Sequence, residues 1–248
     1  MTDNNSYIID FQNVYKSFDD KKVLRGLNLS IRRGETLVVL GRSGCGKSVM
    51  LKILLGLLPA DSGQVFVENT EITELVEGSL FTIRQKIGML FQGAALFDSL
   101  TVAENVAFAL KEHSKKSAAE IDEIVKKNLQ FVDLEGTEQL MPSDLSGGMR
   151  KRVALARAMA YQPQIMLYDE PTTGLDPITA TTINALIRKT QKELGVTSIV
   201  VTHELDSGFS VADRVAVIND GVIIEIGTIE EIKNSGNEFV QRFIAGPK

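Results

Sequence analysis

Gly41-Arg42-Ser43-Gly44-Cys45-Gly46-Lys47-Ser48 places three glycines, a lysine and a terminal hydroxyl within eight residues. Glycines at this spacing let successive backbone N–H groups turn inward without Cβ clashes, which makes a cradle for phosphate oxygens. The run matches a P-loop in full. Lys47 is then expected to reach the β- and γ-phosphates of ATP, and the Ser48 hydroxyl to bind Mg2+. Arg42, Ser43 and Cys45 belong to the same nucleotide-binding run. A Gly-rich turn without a ligand is the competing reading, and it depends on what flanks the loop.

A second cluster lies far along the chain. Ile165-Met166-Leu167-Tyr168-Asp169-Glu170 is an apolar run ending in adjacent carboxylates, a Walker B pattern. Asp169 suits the Mg2+ shell, and Glu170 suits the general base that polarises an attacking water. Two solvated acids at a strand end are the bland alternative, weakened by the P-loop upstream.

These residues need strands and helices to bring them together. Thr36–Leu40 reads as a buried strand entering the P-loop, and Lys47–Leu58 as the helix leaving it, with Met50, Leu51, Leu54 and Leu58 on one face. The helix N-terminus adds partial positive charge beside the phosphates. Gln164–Tyr168, Thr197–Thr202 and Arg214–Ile218 read as further buried strands. Ile183, Leu186, Ile187, Thr190 and Leu194 mark a helix face between the first two, with Asp176 as N-cap and Pro177 as first residue. This alternation predicts an α/β fold with a mostly parallel sheet and ligands at the strands' carboxyl ends. Tyr7–Val14 and Val23–Ile31 alternate like half-exposed strands of a small antiparallel sheet. From Thr101 to Tyr161 helical periodicity dominates.

Leu145-Ser146-Gly147-Gly148-Met149 opens a helix with Met149, Val153, Ala156 and Ala160 on one face. With the two earlier motifs it resembles the signature of the ATP-binding cassette (ABC) superfamily. That resemblance implies a P-loop NTPase, RecA-like core, an N-terminal antiparallel β subdomain, and a helical subdomain inserted at about 93–161 of a single 1–248 domain. It also implies a head-to-tail homodimer in which Ser146, Gly147 and Gly148 of one subunit face the γ-phosphate held by the other. Read without it, Ser146 is a helix cap before a Gly pair.

Other positions follow from the same resemblance. Phe18 matches an aromatic that stacks on adenine, where Tyr is more usual; a core aromatic at a strand end is the other reading. Gln92 matches a residue that touches Mg2+ or the water and senses a membrane partner. Gly174-Leu175-Asp176 matches a loop that crosses the dimer interface. His203, after the Thr197–Thr202 strand, matches a switch histidine that contacts the γ-phosphate.

Three departures from many importers concern the partner: Ser48-Val49-Met50 after Lys47, Asp98 where importers carry Pro, and Met149 in place of Gln. With the Phe239–Pro247 tail they resemble the ATPases of phospholipid transporters that work with mammalian-cell-entry (MCE) domain proteins. The partners so implied are an integral-membrane permease and an MCE-domain lipid-binding protein. Residues Gly93–Leu110 would receive the permease, although Ala94, Leu96 and Phe97 also suit ordinary packing. An ATPase for amino-acid import or lipoprotein release shares every catalytic residue and remains a rival.

Composition narrows the classes further. A 248-residue chain with 44% hydrophobic and 24% charged residues can bury its own core. A net charge of −5 gives no support to a nucleic-acid partner, and no long coiled coil separates P-loop from signature as in chromosome-maintenance ATPases. The single cysteine excludes an intrachain disulfide and fits a reducing compartment. No apolar stretch approaches the roughly 20 residues of a spanning helix, and Met1–Ser6 lacks a secretory apolar run. The expected place is therefore cytoplasmic, on the inner face of the cell membrane through the permease. Cys45 itself reads either as a small residue in a tight loop or as a thiol activated by the helix N-terminus.

Overall fold

The computed structural model describes residues 7–246; the polar Met1–Ser6 stretch and Pro247 of the tail lie outside them. The chain opens with strands β1 (Tyr7–Phe18), β2 (Lys21–Arg32) and β3 (Thr36–Leu40), then helix α1 (Lys47–Leu54). Strands β4 (Ser62–Val67) and β5 (Thr70–Glu71), helix α2 (Glu77–Gln85) and strand β6 (Ile87–Leu90) follow. Next come helices α3 (Val102–His113) and α4 (Ala118–Phe131), a 3-10 turn at Pro142–Asp144, and α5 (Gly147–Ala158). The rest alternates: β7 (Ile165–Asp169), α6 (Pro177–Leu194), β8 (Thr197–Thr202), α7 (Leu205–Val211), β9 (Arg214–Asn219) and β10 (Val222–Gly227). Helices α8 (Ile229–Lys233) and α9 (Glu238–Ala245) end it.

Two sheets result, an antiparallel one in the order β2-β1-β4-β5 and a larger one in the order β10-β9-β3-β8-β7-β6. In the larger sheet β9, β3, β8, β7 and β6 run parallel, and β10 pairs antiparallel with β9. Strands β3, β7 and β8 are buried along their whole length, as expected when both faces of a parallel sheet are covered. Their alternate residues face opposite cores. Val38 and Leu40 join Met166, Tyr168 and Val200 beneath helices α3 to α6. Leu37 and Val39 join Leu167, Ile199 and Val201 against α1 and the antiparallel sheet.

Register places the chemistry. Leu40 pairs with Thr202, Val201 with Asp169, and Tyr168 with Leu90. The strands entering the P-loop, Glu170, His203 and the Gln92 loop therefore end level, along one edge.

The helix after the P-loop is shorter than its apolar face predicted. It ends at Leu54, because Gly56 takes a left-handed φ of 63° and the Leu57 N–H turns back to the Lys52 carbonyl. Leu58 still packs on the core, from outside the helix. The N-terminal strands are longer than their alternation predicted. The register shifts between Phe11 and Val14, where Asn13 has φ 49°, and this bulge breaks the period-2 pattern while pairing continues to Phe18.

Candidate functional site

The P-loop glycines serve distinct needs. At Gly41 a Cβ would sit 2.6 Å from the Ile218 carbonyl oxygen, so β9 leaves no room for a side chain. Gly46 combines φ 109° with a Cβ position 2.7 Å from Leu24, so both backbone and space require glycine. Lys47 follows as the first residue of α1 and is 5% exposed. Its ammonium donates to the Gly41 carbonyl at 2.7 Å and the Arg42 carbonyl at 3.2 Å, and lies 3.3 Å from Glu170 Oε1. The Ser48 hydroxyl donates to Asp169 Oδ1 at 2.9 Å.

Glu170 is the centre of the cluster. Its φ of 47° lies in the left-handed region, sparsely populated for a side chain of this kind. Its N–H donates to the Val201 carbonyl at 2.9 Å. Oε2 lies 2.9 Å from His203 Nδ1 and accepts from the Thr202 and Thr173 hydroxyls, each at 3.2 Å. Burial works to raise this carboxyl, but the His203 hydrogen bond and the Lys47 charge outweigh it and hold Glu170 below its ordinary value. Asp169 goes the other way. Burial raises it, the Ser48 hydrogen bond lowers it, and the neighbouring Glu170 charge adds to the rise.

Lys47, Ser48, Gln92, Glu170 and His203 line one cleft of about 340 Å³, with Gly44, Gly46 and Ser43 on the P-loop wall. Lys21 and Val23 of β2 close the far side. Other predicted residues do not line it. Ser146 is exposed at the start of α5, where its hydroxyl accepts from the Met149 N–H at 3.2 Å. Gly147 and Gly148 pack instead toward the start of α6; a Cβ on Gly148 would meet the Thr179 methyl at 2.3 Å. Asp176 caps α6, accepting from the Ile178 and Thr179 N–H groups at 3.0 Å each. Phe18 also lies outside the cleft walls, 44% exposed at the end of β1, with the Lys16 ammonium 5.6 Å from its ring. It is therefore not a core aromatic. Arg42 turns its guanidinium away from the loop, 5.8 Å above the Phe239 ring of α9.

The surroundings of Cys45 bear on its two readings. Burial raises its thiol, and the opposing Lys47 charge does not reverse that, so activation by the helix N-terminus is outweighed. The half-buried thiol sits where a Gly41 side chain would have to go, which favours its packing role.

Sequence reasoning missed the residues that hold this edge from behind. Lys151 of α5, 5% exposed, donates to the Gln92 carbonyl at 2.5 Å and the Glu170 carbonyl at 3.3 Å. Arg157 donates to the carbonyls of Ala95 at 2.6 Å and Ala94 at 2.9 Å, both residues with positive φ. Asn105, fully buried in α3, donates to the carbonyls of Phe97, Leu100 and Thr101 and accepts from the Phe97 N–H at 2.8 Å. Their only signal in the sequence is a polar residue on an otherwise apolar helix face.

Residues 24–173 match the ABC transporter family. The chain belongs to that family. This ABC chain is 38% identical over 242 residues to the intermembrane phospholipid transport system ATP-binding protein MlaF of Haemophilus influenzae, covering 98% of itself and 92% of that protein. It is 42% identical over 235 residues to methionine import ATP-binding protein MetN 2 of Rhodococcus jostii, covering 91% of itself and 67% of that protein. A dimeric post-hydrolysis structure of the ATP-binding cassette MJ0796, bound to ADP and Pi, superposes with TM-score 0.81 at 34% identity, covering 89% of this chain and 98% of that one. The ABC chain is thus a nucleotide-binding ATPase built on the cassette fold.

Proposed function

We propose that this ATPase powers phospholipid transport as a head-to-tail homodimer, seated on an integral-membrane permease and working with an MCE-domain lipid-binding protein. The observation that carries the dimer is the incompleteness of the cleft. It gathers Lys47, Ser48, Gln92, Glu170 and His203, yet Ser146–Gly148 stand outside it, with Ser146 exposed at the helix start and Gly147 half-buried. A second copy would bring that helix N-terminus, with its N–H groups and partial positive charge, against the γ-phosphate. The dimeric cassette with ADP and Pi supports this arrangement.

Ser48 Oγ and Asp169 Oδ1, 2.9 Å apart, are hard oxygen donors that suit Mg2+, and with Gln92 they would hold it. Bound there, Mg2+ would neutralise charge on the phosphates. Lys47 leaves the Gly41 and Arg42 carbonyls for those phosphates. Glu170, held ionised, accepts a proton from the attacking water as its oxygen bonds to the γ-phosphorus and the bond to ADP breaks. His203 keeps the Glu170 carboxylate aimed and contacts the γ-phosphate. Phe18, exposed beside the Lys21 wall, stacks on adenine.

The lipid assignment draws support from MlaF, whose length this chain nearly spans, whereas it spans only 67% of the methionine importer. Among the described residues no helix is long and apolar enough to cross a membrane. Membrane attachment, at the cytoplasmic face, then depends on the permease. The test is recovery of the protein from detergent-solubilised native membranes with its partners identified by mass spectrometry. A multi-span permease with an MCE-domain protein and phospholipid is the expected result. A permease with an amino-acid or peptide receptor would keep the motor and overturn the lipid. Ribosomes or DNA without a membrane partner would overturn the transport role.

A further inference from the structure

Lys151 is an ionisable side chain buried to 5% exposure that makes no ion pair within 4.0 Å among the described residues. A buried ammonium without a counter-ion is costly, and an apolar residue there would avoid the cost. Its Nζ instead donates to two main-chain carbonyls on different segments, Gln92 at 2.5 Å and Glu170 at 3.3 Å. Burial lowers its affinity for the proton, while the charges of Asp169, Glu170 and Glu204 favour keeping it.

The Glu170 carbonyl matters because that residue holds a left-handed φ of 47°. Such a conformation persists only where its surroundings over-determine it. One side is fixed by the Glu170 N–H on Val201. On the other side its carbonyl accepts from Lys151 at 3.3 Å and from the Thr173 N–H at 3.4 Å. The same ammonium fixes the main chain of Gln92, which lines the same cleft as Glu170. The amine sits on the second turn of α5, the helix that starts at Ser146.

We propose that Lys151 is a positioning residue for ATP hydrolysis, setting the spacing between Gln92 and the Glu170 carboxylate from the signature helix. This rests on Glu170 acting as the base. Loss of the ammonium frees the Gln92 carbonyl and leaves the Glu170 carbonyl with the 3.4 Å Thr173 bond, and a displacement of the base by about 1 Å reduces turnover by up to about 100-fold. Nucleotide affinity depends on Lys47 and the P-loop amides, which Lys151 does not touch.

The experiment compares wild type with Lys151→Met, Lys151→Arg and Glu170→Gln, measuring kcat, KM, the Kd of a fluorescent ATP analogue and the melting temperature. Lys151→Met should lower kcat about 10- to 100-fold with the analogue Kd within about twofold, and Lys151→Arg should restore most of kcat. Wild-type kcat in Lys151→Met would overturn the proposal. So would a loss of analogue binding that matches the loss of kcat. If Lys151→Met does not fold, Lys151→Arg decides: near-wild-type turnover supports positioning, and a folded, ATP-binding but inactive Lys151→Arg overturns it. Glu170→Gln separates the two ideas, since activity in that variant removes the base itself.

Discussion

The strand-end cluster and the loop that follows β6 are neighbours held in opposite ways. Asp169, Glu170 and His203 are presented by the sheet: each sits at or just beyond the end of a buried strand, and register brings them level, while Lys47 stands across the P-loop at the start of α1. Residues 92–100 have no such frame. Their carbonyls are held from behind by Lys151, Arg157 and Asn105, while Phe97 is 44% exposed, its ring tilted 40° against Phe108 at 4.5 Å. A sheet presents chemistry wherever its strands stop. A loop keeps its shape only as long as its donors remain.

Substitutions can separate the two. Glu170→Gln should cut turnover by about 100-fold or more while ATP still binds. With ATP present the paired species should persist on gel filtration, and hydrogen exchange of residues 93–100 should match wild type. Loss of loop protection in this variant would break the contrast. Asn105→Ala attacks the other side. It removes the acceptor for the Phe97 N–H and the donor for three carbonyls in a fully buried site. Urea unfolding should show a loss of about 3 kcal/mol.

Phe97→Ala should act more narrowly. Basal hydrolysis by the isolated protein stays as it was, while recovery of the permease falls several-fold; a drop in basal turnover would mean that the loop face and the strand ends are not separable. The mildest test uses a region touching neither. Asp61 accepts from the Lys16 ammonium at 2.7 Å and from the Ser17 N–H at 2.6 Å. These bonds lower its carboxyl below the ordinary 3.8. A lowered folded-state value stabilises above pH 3.8 and is lost as the pH falls through the folded value. The small difference in urea midpoint between wild type and Asp61→Asn should therefore shrink on going from pH 7 to pH 3, with no change in turnover at neutral pH.

The same contrast explains what could be read from residue order. The P-loop, Asp169-Glu170 and His203 each follow a buried apolar run, so motif and strand end coincide and their meeting was predictable. The parallel sheet followed from the same runs. The frame behind the loop was not predictable, because Lys151 and Arg157 interrupt a helix face much as any solvated residue would. Only the packing of α5 over β6 shows that their ends reach main-chain carbonyls. The extension of β1 to Phe18 was hidden by the bulge at Asn13, and the early end of α1 by apolar residues that continue past Gly56.

The close approach of Gly148 to Thr179 carries a consequence for how this chain can vary. With 2.3 Å between a Cβ at 148 and the Thr179 methyl, the two positions share one small volume. The Thr179 hydroxyl, held by Asp176 Oδ2 at 2.5 Å, keeps that methyl from rotating aside. An inherited change at 148 therefore becomes tolerable only after 179 has given up its methyl, as serine would while keeping the hydroxyl. Lineages should pass through 179 before 148, and the two sites should drift as a pair.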